Sequence, residues 1–161
     1  MQSACFTGHR NLMGDIRNLE ERLYNVLEKA ITNAGIIEFY AGAALGWDTL
    51  SSQVVLKLRE VYPYIRLHLI LPCSPYEQTA KWSEEQRVEY MRILSAADYV
   101  EKTSEHYYNG CMKVRNARLI ELADCCFCFW NRKCQYSGTA QTVRMAQKKN
   151  IMIINLFKYI V

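Results

Sequence analysis

Three short stretches of this chain place glycine and small residues directly ahead of amphipathic segments. They are Thr7-Gly8-His9-Arg10, Gly42-Ala43-Ala44 with Asp48 shortly after, and Ser137-Gly138-Thr139. Without a Cβ in the way, backbone N–H groups can approach an anion, and the positive end of a following helix favours negative charge. The chemistry they suit is phosphate binding. A single glycine often serves only a turn, so the argument rests on three such joints occurring together. A P-loop is excluded, because Gly42 and Gly46 are not followed by Lys-Ser/Thr, and the dinucleotide pattern G-x-G-x-x-G is missing too. Arg115 and Asn116 add a separate signal. They follow Met112 at helical spacing on the stripe that holds Leu119 and Ala123, so a guanidinium and an amide face inward. Their burial is costly unless something pairs with them. Two partners fit: a carboxylate or carbonyl within the fold, or a phosphate or carboxylate ligand held bidentately.

The remaining reactive residues have plainer readings. Cys125 and Cys126 point to opposite faces of a strand and no CxxC pair exists, so the cysteines read as core thiols rather than metal ligands. Cys134 lies beside Arg132 and Lys133 in a loop. His9 follows Gly8 as a ligand candidate, whereas His68 sits mid-strand in a structural position. HExxH, GxSxG and the zinc-deaminase pattern are all missing. Tyr76, Trp82, Tyr107, Tyr108 and Tyr136 fall in the same class of joint and suit either base stacking or loop anchoring.

The elements that hold these residues alternate. Ser3–Phe6 reads as a strand, and a helix follows over about Met13–Asn33, with Ile16, Leu19, Leu23, Val26, Leu27, Ala30 and Ile31 inward and Gly35 as its stop. A strand at Ile36–Tyr40 precedes a helix with Trp47, Leu50, Val54, Leu58 and Val61 on one face. Ile65–Leu71 is a strand. Ser83-Glu84-Glu85-Gln86 is a capping box, opening a helix with Val88, Met91 and Leu94 inward. Strands at Tyr99–Glu101, Cys125–Trp130 and Ile151–Ile154 alternate with helices at Gly110–Ala123 and Thr139–Lys149. The all-apolar runs Cys125–Trp130 and Ile151–Ile154 suit central strands buried on both faces. The pattern specifies an α/β fold: a three-layer Rossmann-like sandwich with a mostly parallel central sheet and helices on both faces. Helix-to-strand joints are short and plain, while strand-to-helix joints collect the special residues. In an open parallel sheet the latter all lie at the carboxyl edge, where ligands bind at the switch in strand order.

The whole 161 residues fit one domain, with 50% apolar residues and 22% charged. A chain of this length buries roughly 68–70% of its unfolded surface, so its core needs no metal or disulfide. Twenty Lys+Arg against sixteen Asp+Glu give +4, compatible with an anionic ligand but thin for a nucleic-acid groove. No apolar run is long enough for a bilayer, and Cys5-Phe6-Thr7-Gly8-His9-Arg10 breaks any secretory leader, so a cytoplasmic protein with reduced thiols is expected. Leu156-Phe157-Lys158-Tyr159-Ile160-Val161 is too apolar for a free tail and should pack on the domain or on a second subunit.

Together these motifs resemble the SLOG superfamily, the Rossmann-like group named for bacterial SMF/DprA and plant LOG proteins, and within it the small stand-alone YpsA-like branch. Cys5–Arg10 looks like the opening TGHR loop, Ala41–Asp48 like the GGALGVD stretch, Ala96–Val100 like ADYV, and Gly110–Asn116 like GCM..RN. Ser137–Ala140 is similar to the glycine-threonine turn. The resemblance implies a cytosolic fold, often a homodimer, that binds a nucleotide or nucleotide-derived molecule, such as ADP-ribose or an NAD derivative; no metal and no cofactor is expected. The ligand-binding set carried over is Thr7, Gly8, His9, Arg10, Gly42, Ala43, Asp48, Arg115, Asn116, Ser137, Gly138 and Thr139, with Asp48 contacting ribose or backbone. The LOG branch hydrolyses nucleoside monophosphates through PGGxGTxxE and an arginine. Here Arg115 stands at the arginine position, but Tyr136–Thr142 lacks the Pro-Gly-Gly, and Thr142 replaces the catalytic glutamate. A threonine cannot act as a carboxylate base, so the expectation is a binding module. An N-glycosidase or phosphoribohydrolase-like enzyme and a DprA-like single-stranded DNA binder are the alternatives.

Overall fold

The computed structural model describes residues 2–158. Six strands form one parallel sheet: β1 (Ser3–Gly8), β2 (Glu38–Ala41), β3 (Arg66–Leu71), β4 (Tyr99–Lys102), β5 (Cys125–Phe129) and β6 (Met152–Asn155), in the order β4-β3-β2-β1-β5-β6. Between them run α1 (Ile16–Ala34), α2 (Trp47–Val61), α3 (Pro75–Gln78), α4 (Glu84–Ala96), α5 (Cys111–Leu122) and α6 (Gly138–Lys149). Strand alternation builds two cores. Ala4, Phe6, Phe39, Leu67, Leu69 and Phe127 pack under α1, α2 and α4, while Cys5, Ile70, Cys126 and Cys128 meet Leu119, Ile120, Val143 and Ala146 of α5 and α6. The expected three-layer α/β sandwich is the fold observed.

The chain adds β2, β3 and β4 outward on one side of β1, then returns through α5 to lay β5 on the other side. That reversal opens a crevice beyond the carboxyl ends of β1 and β5.

Local chemistry explains most boundaries. Asp15 caps α1 by accepting from Asn18 N at 3.1 Å, and Gly35, at φ 71°, ends it. The helix therefore starts later than Met13, and Ile16 is exposed rather than inward. The capping box at Ser83 is reciprocal: its Oγ accepts from Gln86 N at 3.1 Å, while its N–H donates to Gln86 Oε1 at 3.0 Å.

Further expectations need correction. Val61, expected on the inward face of α2, is 58% exposed at the helix's last residue. α4 buries Tyr90 and Ile93, and packs Leu94 partly, but leaves Val88 and Met91 exposed. Apolar residues lie on two flanks of this helix, and packing beside α2 selects one of them. β6 is an edge strand with Met152 exposed, so only β5 of the two all-apolar runs is central. The short α3, begun by Pro75 and capped by Ser74, is an element beyond those expected. At the C-terminal end Leu156 is buried and Phe157 packs on Phe129 at 5.1 Å between centroids. Tyr159, Ile160 and Val161, part of the expected packed tail, lie outside the described residues. Among those described, no helix is long and apolar enough to cross a membrane.

Candidate functional site

A cleft of about 250 Å³ opens at the carboxyl ends of β1 and β5. Thr7, Gly8, His9 and Arg10 line it from the β1–α1 loop, Ala44 and Asp48 from the start of α2, Met112, Arg115 and Asn116 from α5, and Ser137, Gly138 and Thr139 from the start of α6. Sequence-distant joints thus meet at one place, and ten of the twelve expected residues share it.

Gly42 and Ala43 do not line the cleft; Ala44 takes that wall. Their carbonyls turn inward. Arg115 Nη1 and Gln78 Nε2 (3.4 Å) both donate to Gly42 O, and Gln78 Nε2 reaches Ala43 O at 3.3 Å. Gln78 is held in turn by the Tyr90 hydroxyl, which donates to Oε1 at 3.0 Å. A Cβ on Gly42 would collide with the Arg115 guanidinium and stand 2.9 Å from Asp48 Oδ2. Glycine is required there to seat a buried cation rather than to admit a phosphate.

Arg115 is only 4% exposed. Its Nε donates to Asn116 Oδ1 at 2.8 Å and its Nη1 also reaches Ile70 O at 3.4 Å. Of the two partner types anticipated for it, the one within the fold is therefore filled, by carbonyls and an amide oxygen. Burial pulls its pKa below the ordinary guanidinium value, and the Asp48 charge opposes that shift. Asp48 is 6% exposed and accepts from Ala44 N at 3.2 Å. Burial raises its carboxyl above the usual range, against the pull of Arg115 and then of the Ala44 N–H. Each charge makes the other tolerable in a dry site.

His9 ties the two central loops together. Its Nε2 accepts the Asn131 N–H at 2.8 Å and its own N–H donates to Phe129 O at 3.2 Å. Burial lowers its pKa, which favours the neutral ring that this acceptor role needs. Gly8 has a steric reason of its own: a Cβ there would enter the Trp47 ring. Trp47 Nε1 donates to Phe127 O at 3.1 Å and its backbone N–H to His9 O at 3.2 Å, so α2 is stapled to β5 and to the loop that follows β1. Sequence reasoning placed Trp47 only on a core face. Gln78 went unnoticed because nothing local marks an amide on a one-turn helix.

At α6, Ser137 Oγ accepts from Ala140 N at 3.0 Å, leaving the Gly138 and Thr139 N–H groups without helical partners. Gly138 differs from Gly8 and Gly42, because nothing stands within 4 Å of where its Cβ would be. Thr142 is fully buried and donates to Gly138 O at 2.8 Å, spending its hydroxyl on its own helix. Arg10 is exposed, and its guanidinium has no ion-pair partner among the described residues.

Other candidates fall elsewhere. His68 stacks between Tyr40 and Tyr99 at 4.4 and 4.8 Å and pairs with Glu38. His106 Nδ1 meets Glu77 at 2.9 Å on the surface. Trp82 is packed edge-on against Tyr90, and Tyr76, Tyr107, Tyr108 and Tyr136 are exposed outside the cleft lining. Six cysteines are buried free thiols and Cys134 is exposed. Among the described residues no cluster of His, Cys, Asp and Glu could hold a metal ion.

Comparison with known proteins adds the lineage. A UPF0398 protein of Halalkalibacterium halodurans is 28% identical over 118 residues, covering 72% of this chain and 59% of that protein. One from Bacillus licheniformis is 27% identical over 133 residues, covering 77% and 72%. The SPbeta prophage-derived protein YoqJ of Bacillus subtilis is 32% identical over 87 residues, covering 54% and 50%. The chain thus spans little more than half the length of some of these relatives. The model of the YpsA family, described as the YspA SLOG family, matches residues 5–159 and so takes in every residue of the cleft. The chain belongs to the YspA SLOG family.

Proposed function

We propose that the chain binds the phosphate of a nucleotide or nucleotide-derived molecule in the cleft beyond β1 and β5, and acts as a binding module rather than a phosphoribohydrolase. Membership of the SLOG family supports a nucleotide-related role. The observation that carries the finer reading is Gly138. The other cleft glycine, Gly8, and the neighbouring Gly42 are explained by Trp47 and Arg115, but no protein atom requires glycine at 138. A group approaching the first turn of α6 would, because a phosphate held by the Gly138 and Thr139 N–H groups occupies the space that a Cβ would enter. Arg10, free of carboxylate partners among the described residues, supplies a cation at the same cleft.

Catalysis finds less support. Thr142 is neutral and turned to the backbone, and Asp48, the carboxylate lining the cleft, is buried with its charge already set against the Arg115 guanidinium. A group so placed is poorly suited to stabilise positive charge developing on ribose.

Calorimetric titration of wild type and Gly138→Ala with AMP and ADP-ribose tests the reading. The variant should keep its melting temperature, since alanine is well tolerated in a helix, and bind at least tenfold more weakly. Unchanged affinity in a folded Gly138→Ala would exclude phosphate binding at α6.

A further inference from the structure

The cleft does not fill the crevice at the strand-order reversal. On its α1 side lies a larger pocket of about 430 Å³, with apolar surface from Leu19, Phe129 and Phe157, amides from Asn18 and Asn131, and the charged Asp15, Arg22, Lys133 and Lys158. Two hydrogen bonds join the two cavities: Asn131, lining the pocket, donates its N–H to Nε2 of His9, lining the cleft, at 2.8 Å, and the His9 backbone N–H donates to Phe129 O on the pocket wall at 3.2 Å. The His9 ring also stands edge-on to Phe129 at 6.3 Å.

Size and chemistry select the occupant. Small-molecule sites run to about 300–1,000 Å³, so the cleft at about 250 Å³ is too small for a whole nucleotide, while cleft and pocket together fall within that range. Aromatic and aliphatic walls suit a flat ring. Asn18 Oδ1 accepts from Arg22 Nε at 3.1 Å and Asn131 Oδ1 from Lys133 N at 3.0 Å. Each amide is thereby left with an Nδ2 that has no partner among the described residues. Two N–H donors beside an apolar slot match the ring nitrogens and carbonyl that purines carry on their edges. We infer that this pocket receives the base of a purine nucleotide whose phosphate lies in the cleft. The inference rests on the phosphate reading above.

The test titrates the whole chain with AMP, GMP, adenosine, guanosine and ribose 5-phosphate, using wild type and Asn18→Trp. Asn18 is exposed on α1 outside the cleft lining, so the indole crowds the pocket alone. Wild type should bind AMP or GMP at least tenfold more tightly than ribose 5-phosphate, and their ratio identifies the purine. Asn18→Trp should lose that advantage while keeping ribose 5-phosphate affinity within twofold. If the indole prevents folding, Asn18→Leu, which removes the amide but keeps a side chain of similar size, should still weaken the nucleotide severalfold. Nucleosides that bind wild type and lose affinity in the variant, with ribose 5-phosphate inert, would remove the phosphate reading and leave the base pocket standing. Ribose 5-phosphate binding as tightly as both nucleotides overturns the inference. So does a folded variant that retains the full nucleotide advantage, or a wild type that binds no purine compound.

Discussion

A guanidinium buried as deeply as that of Arg115 must be paired, and its partners are the Gly42 carbonyl, Asn116 Oδ1 and the nearby charge of Asp48. Arg115→Ala should therefore cost about 3 kcal/mol of stability, in the range for stranding buried polar and charged groups. Urea unfolding measures it, and a variant as stable as wild type would show that the fold does not depend on this pairing. His9 makes a pH prediction. Its folded pKa lies below the ordinary 6.5, so the unfolded chain binds more protons in the window beneath 6.5. Stability from the neutral ring is fully present above 6.5 and is lost as pH falls through the lowered folded value. An NMR titration of the His9 ring should give a midpoint below 6.5, and one above it would contradict the Asn131 N–H to Nε2 bond. The inward face of Arg115 was legible from helical spacing alone. Its partner Gly42, 73 residues away, was not, because only the tertiary fold brings the carbonyl just past β2 to α5.

Among the elements, α1, α2, α5 and α6 were legible because each has a single apolar stripe and clear end signals. The α4 face was not. Its two apolar flanks satisfy the same periodicity, and neighbouring α2 decides between them. The observed choice makes a sharp contrast: Ile93→Ala should cost about 3 kcal/mol as a core truncation, whereas Val88→Ala at an exposed site should stay within about 0.5 kcal/mol. Thermal or urea unfolding of the pair decides it, and a reversed order would mean that Val88 faces the core. The Gly42 joint shows the same limit from the other side. Glycine before a helix marks a special backbone, but the sequence does not say whether a ligand or a neighbouring side chain is the reason, and here Arg115 is.

At the scale of the whole molecule, alternating strands and helices made the sheet and its carboxyl edge legible. The reversal of strand order between β1 and β5 decides which joints on that edge meet. The joints after β1 and before α6 were readable as parts; their convergence with α5 needed the topology. A site of this kind, with a neutral Thr142 and a buried Asp48, should hydrolyse AMP poorly. Loss of one preorganised electrostatic group costs about 10²–10³ in rate, so release of free adenine should stay below about 0.1 s⁻¹ against a median enzyme near 10 s⁻¹. Chromatography of the reaction mixture measures it, and turnover near the median would assign the role to another residue.

The most direct measurement is a crystal structure of the chain soaked with AMP. The account predicts the phosphate in the cleft beyond β1 and β5, about 2.7–3.2 Å from the N–H groups of Gly138 and Thr139, with the Arg10 guanidinium turned towards it. A phosphate bound at the amino edge of the sheet, or anywhere outside this cleft, would contradict it.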